Sequence, residues 1–313
     1  MACYYPSDGW LSAKANDNGR FPITFKRSEA QQDAPLRVPC GRCIGCRLDR
    51  SRQWGMRCQH ESQLHEQNSF ITLTYDDDNI PEGASLSSYD WNRFMRRLRK
   101  HLSPKKIRFY MGAEYGEQAL AGWLTPEGQK ILGRPHFHAI LFGHQFDDLE
   151  IHEERNGNVS YTSETLAKIW GKGFVTVGEA SYESACYVAR YCMKKMGGEL
   201  AEQHYKRIHP VTGEEISLTP EFARMSNRPG IGKDWFLRYW RDFAKGYTTL
   251  NGIRHAVPHY YVDVMAEHHP DEGLALKAMR RHSIDLYHPE MALDRLRIKQ
   301  EVKERRTQLL KRD

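Results

Sequence analysis

The sequence predicts an α+β sandwich in which helices lie against one face of a sheet, on three observations. Aromatic and β-branched runs at 69–75, 107–114 and 135–143 have the composition of strands. Stretches at 89–102 and 181–195 repeat their apolar residues at helical spacing, and clusters of turn formers separate the segments.

Each element follows in chain order. Residues 1–39 mix turn formers with isolated aromatics and hold no sustained period, which predicts an irregular or covering arm. Arg47 to Glu66 is strongly charged and free of proline, a helix despite Gly55. Ser69–Tyr75 is a strand stopped by Asp76-Asp77-Asp78-Asn79. Tyr89–Leu102 sets Trp91, Phe94, Met95 and Leu98 on one side and Arg96, Arg97, Arg99 and Lys100 on the other. Ile107–Glu114 is a second strand, 116–133 a loop or loose hairpin, and Pro135–Gly143 a largely buried strand.

Asn156-Gly157 can make a tight turn, and Ser163 caps a short helix over 164–170. Residues 173–178 form a strand, and Ser181–Lys195 a second helix. Beyond 196 the pattern loosens, until a basic Gly/Pro turn at 227–233 leads into an aromatic segment at 235–243. Thr248–Leu250, Asn251-Gly252 and Ile253–Val257 make a small hairpin. Residues 271–313 read as helical with an interruption near Pro289, either a basic accessory arm or ordinary charged helix surface. Three segments result: an N-terminal arm with a cysteine-containing accessory segment (1–66), a core (67–198) and a basic C-terminal accessory region (199–313).

Composition narrows the function classes. With 40% hydrophobic and 27% charged residues, the 313-residue chain is neither disordered nor fibrous. A formal charge of +6 is compatible with a polyanionic partner. No interval approaches the about eighteen apolar residues of a membrane span, and the opening lacks a secretory signal, so a cytoplasmic protein with no membrane partner is expected. Seven cysteines, an odd count without an export signal, argue for reduced thiols.

The chemistry concentrates at two places. His136 and His138 stand two apart on a strand, so both imidazoles face one side and can share a metal. Glu114, ending the neighbouring strand, can complete a His₂Glu site with open positions. Mg²⁺ or Mn²⁺ suits a substrate with hard oxygens, although two histidines also accept Zn²⁺. Among 15 histidines roughly one such pair arises by chance, and core packing is the competing explanation. On the 181–195 helix, Tyr187, Tyr191 and Lys194 share a face, presenting two phenols and an ammonium. Core packing of the tyrosines competes here as well, but accounts less naturally for the lysine.

At these residues the chain resembles the replication initiators of small single-stranded DNA bacteriophages, especially the gokushovirus branch of the microviruses, which are paired-tyrosine HUH endonucleases. Pro135-His136-Phe137-His138 matches the histidine-hydrophobic-histidine motif, and Tyr187-Val188-Ala189-Arg190-Tyr191 the paired-tyrosine motif, with Arg190 where a lysine is sometimes found. Phe70–Tyr75, Gly112–Gly116, Pro39–Cys46 and Ser226–Gly232 extend the resemblance over roughly 36–235. It implies an HUH endonuclease-like central antiparallel sheet packed against helices, with accessory terminal segments. It also implies a rolling-circle initiator in the host bacterial cytoplasm that nicks a single-stranded viral DNA origin, forms a 5′-phosphotyrosine and rejoins DNA by transesterification.

In that reading Tyr187 and Tyr191 are nucleophiles, and Lys194, with Lys195 as the weaker alternative, assists ionisation. Arg47, Arg50, Arg52, Arg190, Arg228 and Lys233 are candidate DNA contacts. No Walker loop is present, so a host helicase and DNA polymerase are the expected partners; the sequence carries no signal of oligomeric state. Cys40, Cys43, Cys46 and Cys58 can form a structural Zn²⁺ site, with packed reduced thiols as the alternative. Two other functions compete: a non-catalytic origin-binding protein, which would bind without a covalent adduct, and a related relaxase or transposase-like strand transferase.

Overall fold

A computed structural model of the chain describes residues 3–17, 19, 21–32, 35–120, 132–155, 157–191, 199–250, 252–286 and 292–309. The chain divides into two compact units, one formed by 1–50 with 277–313 and the other by 51–276. In the first, β1 (Ser7–Leu11) pairs antiparallel with β2 (Ile23–Thr24) and β3 (Leu36–Val38). The stretch expected to be irregular therefore holds a small sheet. Its strands have at most five residues, too few to raise a period above the surrounding turn formers.

Next come α1 (Ile44–Ser62), β4 (Asn68–Thr74), α2 (Ser88–His101), β5 (Arg108–Ala119), β6 (Gly133–Phe142), β7 (Leu149–Arg155), β8 (Asn158–Ser163), α3 (Glu164–Trp170), β9 (Val175–Gly178) and α4 (Tyr182–Tyr191). They are followed by α5 (Glu199–His204), β10 (Lys206–Ile208), β11 (Glu215–Ser217), β12 (Phe222–Met225), α6 (Lys233–Tyr239), β13 (Tyr247–Leu250), β14 (Ile253–Ala256), α7 (His259–His268), α8 (Pro270–Leu286) and α9 (Leu293–Leu309). The expected hairpin is β13–β14, with Gly252 at φ +76° in its turn. Asn156, Asn251 and the interruption near Pro289 lie outside the described residues.

Seven strands of the second unit make one antiparallel sheet in the order β12-β5-β6-β4-β9-β8-β7. Period two sends Ile71, Leu73, Met111, Ala113, Phe137, Ala139 and Leu141 to one face. There they bury against Trp91, Phe94 and Leu98 of α2 and Leu166, Ile169 and Trp170 of α3. Both helices are capped as their sequences prescribe: Ser87 accepts from the Asp90 N–H and Ser163 from the Leu166 N–H, each cap contributing about 1 kcal/mol. β5 runs five residues past Glu114, into the stretch expected to be loop, and β12 adds an edge strand from a region that showed no strand signal.

The opposite face is covered too, which corrects the expectation of helices on one face only. Tyr110, Ile140 and Phe142 are buried there with Ala185, Val188 and Ala189 of α4, Cys58 of α1 and Ile231. The reason is written in Ala139-Ile140-Leu141-Phe142: consecutive apolar residues cannot leave either face of a strand in water.

α1 and α4 meet at Gly55. A Cβ there would collide with Cys186 Sγ and lie 2.9 Å from the Tyr182 ring, and Ser51 Oγ donates to the Cys186 carbonyl at 2.7 Å. A glycine inside a helix costs about 1 kcal/mol, and here it permits the close approach. Further along α1, His60 stacks on Trp235 at 3.7 Å and holds Tyr261 Oη at 2.9 Å from its Nδ1. Burial in this aromatic cluster pushes the imidazole pKa down to about 3.

Candidate metal and nucleophile site

The site grows from β6. His136 and His138 point to the face covered by α4, while Phe137 between them is fully buried on the other. The antiparallel register sets Glu114 of β5 directly across from His136, and Thr72 of β4 across from His138. The Nε2 atoms of His136 and His138 stand 2.9 and 3.0 Å from the same Glu114 oxygen, Oε1. Glu114 is 2% exposed and His138 6%, whereas His136 is half-buried.

The remaining ring nitrogens are also engaged. His136 Nδ1–H donates to the Arg134 carbonyl at 3.0 Å, and His138 Nδ1 lies 2.9 Å from Thr72 Oγ1. A carbonyl can only accept, so the His136 proton sits on Nδ1 and a neutral ring turns its Nε2 lone pair toward the carboxylate. Two acceptors in that position repel unless a second proton or a cation lies between them. Burial alone would raise the Glu114 pKa, but the contacts from His136 and His138 outweigh it and hold the carboxyl below its usual range.

A divalent ion fits this donor set. Spacings of 2.9–3.0 Å are the edge of an octahedral shell with metal–ligand distances of about 2.1 Å. Two imidazoles and one carboxylate leave further positions open. Thr72, which the reading of metal residues did not include, emerges as the partner that orients His138; its signal is its cross-strand position, visible only once the register is known.

α4 brings the phenol. Ala185, Val188 and Ala189 seat the helix on the sheet, which turns Tyr187 toward β6 and β4. Its ring meets His138 edge to face, with centroids 5.1 Å apart at 81°, and Phe70 at 6.2 Å and 87°. Phe70 in turn stacks on His138 at 5.8 Å. Tyr191 follows one turn later on α4; its side chain lies outside the described residues, as do Lys194 and Lys195.

The candidate DNA-contact residues separate. Arg190 is exposed on α4, and Arg228 is exposed beside a cleft also lined by Arg99, Lys105, Lys106 and Arg108. Arg52 is engaged internally, donating to the Ala256 carbonyl at 2.8 Å, and Lys233 lies 3.7 Å from Glu267. In the first unit, Arg47 is half-buried and Arg50 exposed. The basic cleft itself went unseen in the sequence because β5 and the segment after β12 are more than a hundred residues apart.

The cysteine expectation needs one correction. Cys40, Cys43 and Cys46 do come together, but with Cys3, and Cys58 is not their companion. Cys58 is buried among Tyr110, Ile140, Phe142 and Ile231 in the second unit, where the apolar surroundings raise its thiol pKa and keep it protonated.

Residues 68–196 match the family model of replication-associated proteins of the ORF2 type. The chain is 30% identical over 277 residues to the replication-associated protein VP4 of Bdellovibrio phage phiMH2K, covering 85% of this chain and 79% of that protein. It is 33% identical over 249 residues to the replication-associated protein ORF2 of Spiroplasma virus 4, covering 75% and 69%. With the replication-associated protein ORF4 of Chlamydia phage 1 it shares 31% identity over 241 residues, 73% of this chain and 53% of that one. No solved structure matches the chain. Among the described residues, no helix is long and apolar enough to cross a membrane.

Proposed function

We propose that this chain, which belongs to the family of phage replication-associated proteins, initiates rolling-circle replication by nicking single-stranded origin DNA through a tyrosine that stays joined to the 5′ phosphate. One observation carries the proposal: Tyr187 packs against His138, one of three metal-competent side chains meeting at a single carboxylate oxygen.

In this reaction the Tyr187 phenolic oxygen attacks the scissile phosphorus. A phosphotyrosine bond forms, the bond from phosphorus to the 3′ oxygen breaks, and that oxygen takes up a proton to become a 3′-hydroxyl able to prime synthesis. The ester energy is kept in the protein–DNA link. Glu114, His136 and His138 would hold a divalent cation, Mg²⁺ or Mn²⁺, which supplies charge neutralisation at the phosphate. Thr72 and the Arg134 carbonyl fix the imidazoles, so the donors need no reorganisation when DNA arrives. A phenol with an ordinary pKa near 10 needs help to ionise, and Lys194 is the group of this chain assigned to it. Tyr191 serves as the second nucleophile, cutting the regenerated origin so that the free 3′-hydroxyl can attack the old link and close the circle. A host helicase opens the duplex and a host polymerase extends the 3′ end.

The test is covalent capture from a library of single strands with Mg²⁺ or Mn²⁺. An adduct that maps to Tyr187 or Tyr191, and vanishes in Y187F/Y191F while DNA binding persists, is the expected result. Specific binding with no adduct under any metal would replace this reading with that of a non-catalytic origin-binding protein. An adduct formed only on hairpin ends would point to a relaxase or transposase-like strand transferase.

A further inference from the structure

We infer that Cys3, Cys40, Cys43 and Cys46 form a tetrathiolate site for a structural Zn²⁺ that stitches the N-terminal segment to the start of α1. The inference stands apart from the nicking reaction and uses none of its residues. The four Sγ atoms lie within 4.8 Å of one another, and all four cysteines are free thiols. Four thiolates around Zn²⁺ at about 2.3 Å have sulfur–sulfur edges of about 3.8 Å; Cys43 and Cys3 already stand 4.0 Å apart.

The backbone is folded for the purpose. Gly41, at φ +73°, turns the chain between the first two ligands of Cys40-Gly41-Arg42-Cys43, and the Cys43 N–H points at Cys40 Sγ at 3.3 Å. The Cys40 N–H donates to Cys3 Sγ at 3.1 Å, and the Tyr4 N–H to Cys43 Sγ at 3.4 Å. Backbone donors of this kind spread the negative charge that four thiolates concentrate. Soft sulfur ligands select Zn²⁺ over Mg²⁺ or Mn²⁺, so this site and the Glu114/His136/His138 site prefer different ions.

The surroundings supply the motive. In the cluster around these ligands, the buried residues are Cys3, Tyr4, Cys43 and Leu296 of α9, flanked by Cys40, Ile44 and Cys46. Two ordinary hydrophobic side chains at its centre are too few to hold a small unit together, and a metal cross-link is the usual remedy. Four ligands from the protein close the shell and leave no position for substrate, so the ion is structural.

Metal analysis of the full chain, purified without added zinc, should find about one Zn²⁺ per chain, retained in H136A/H138A and in C58S but lost in C3S and C46S. Because those last two variants can fail to fold, the unmodified protein provides an independent readout. Differential alkylation with mass-spectrometric mapping should find Cys3, Cys40, Cys43 and Cys46 shielded as one group, then released together by a chelator while Cys58 stays protected by burial. Zinc absent from the folded protein, iron and sulfide in its place, zinc that depends on Cys58 and not on Cys3, or release of the four thiols one by one without chelator would each overturn the inference.

Discussion

The two faces of the seven-stranded sheet are built from alternate residues of the same strands, yet they carry opposite loads. One face, from Ile71 to Leu141, is apolar throughout and closed by α2 and α3. The other is apolar only around Tyr110, Ile140 and Phe142, and toward Glu114, His136 and His138 it turns polar beneath α4. Stability comes chiefly from the first face, and this leaves the second free to hold like-natured donors at close range, an arrangement that costs energy until an ion satisfies it. Residues 136, 137 and 138 state the division in three consecutive positions.

The widest separation should appear on β6 itself. H136A/H138A is expected to lower the rate of covalent adduct formation on the order of a thousandfold while leaving the urea midpoint nearly unmoved. F137A should do the reverse to the fold, losing about 3–5 kcal/mol in urea unfolding through the cavity it opens between α2 and α3. If F137A left stability intact, or H136A/H138A unfolded the protein, the assignment of roles to faces would fail.

A smaller effect contrasts two kinds of buried histidine. His138 meets a carboxylate, whereas His60 is enclosed by Trp235, Phe243 and Tyr261 with its pKa held at about 3. Unfolding returns His60 to an ordinary value near 6.5, so the unfolded chain binds the extra proton first. Its contribution is full above pH 6.5 and is lost as pH falls toward 3, at up to about 1.4 kcal/mol per pH unit. Urea titrations at stepped pH should show a shallower acid-side decline in H60F; an unchanged slope would exclude His60 as its source.

The smallest effect concerns DNA grip. K106A/R228A, in the basic cleft, should weaken single-strand binding several-fold and make its salt dependence shallower by about 0.7 per cation removed. R52A and K233A, whose side chains already hold Ala256 and Glu267, are expected to shift that slope less.

Much of this was legible in the sequence, for a physical reason. The strands bearing Thr72, Glu114 and the two histidines, the helix bearing Tyr187, the caps Ser87 and Ser163 and the turn at Gly252 all follow from short-range periodicity and local hydrogen bonding. The failures share the opposite character. Cys3 replaced Cys58 because ligation depends on a contact spanning 37 residues, and spacing along the chain favoured the nearer helix. β12 and the small N-terminal sheet were missed because strands of two to five residues gain their identity from a partner strand. Helices on both sheet faces were implied by the unbroken apolar run at 139–142, which was read for burial and not for its second face.

Gly55 has one more effect. The cutting helix rests against bare backbone at that point, so the reach of the Tyr187 phenol is tuned from behind by the absence of a single methyl group. A residue that never meets DNA can thus act as the shim of the blade: any side chain added there would push α4 along the sheet and carry the nucleophile off its mark.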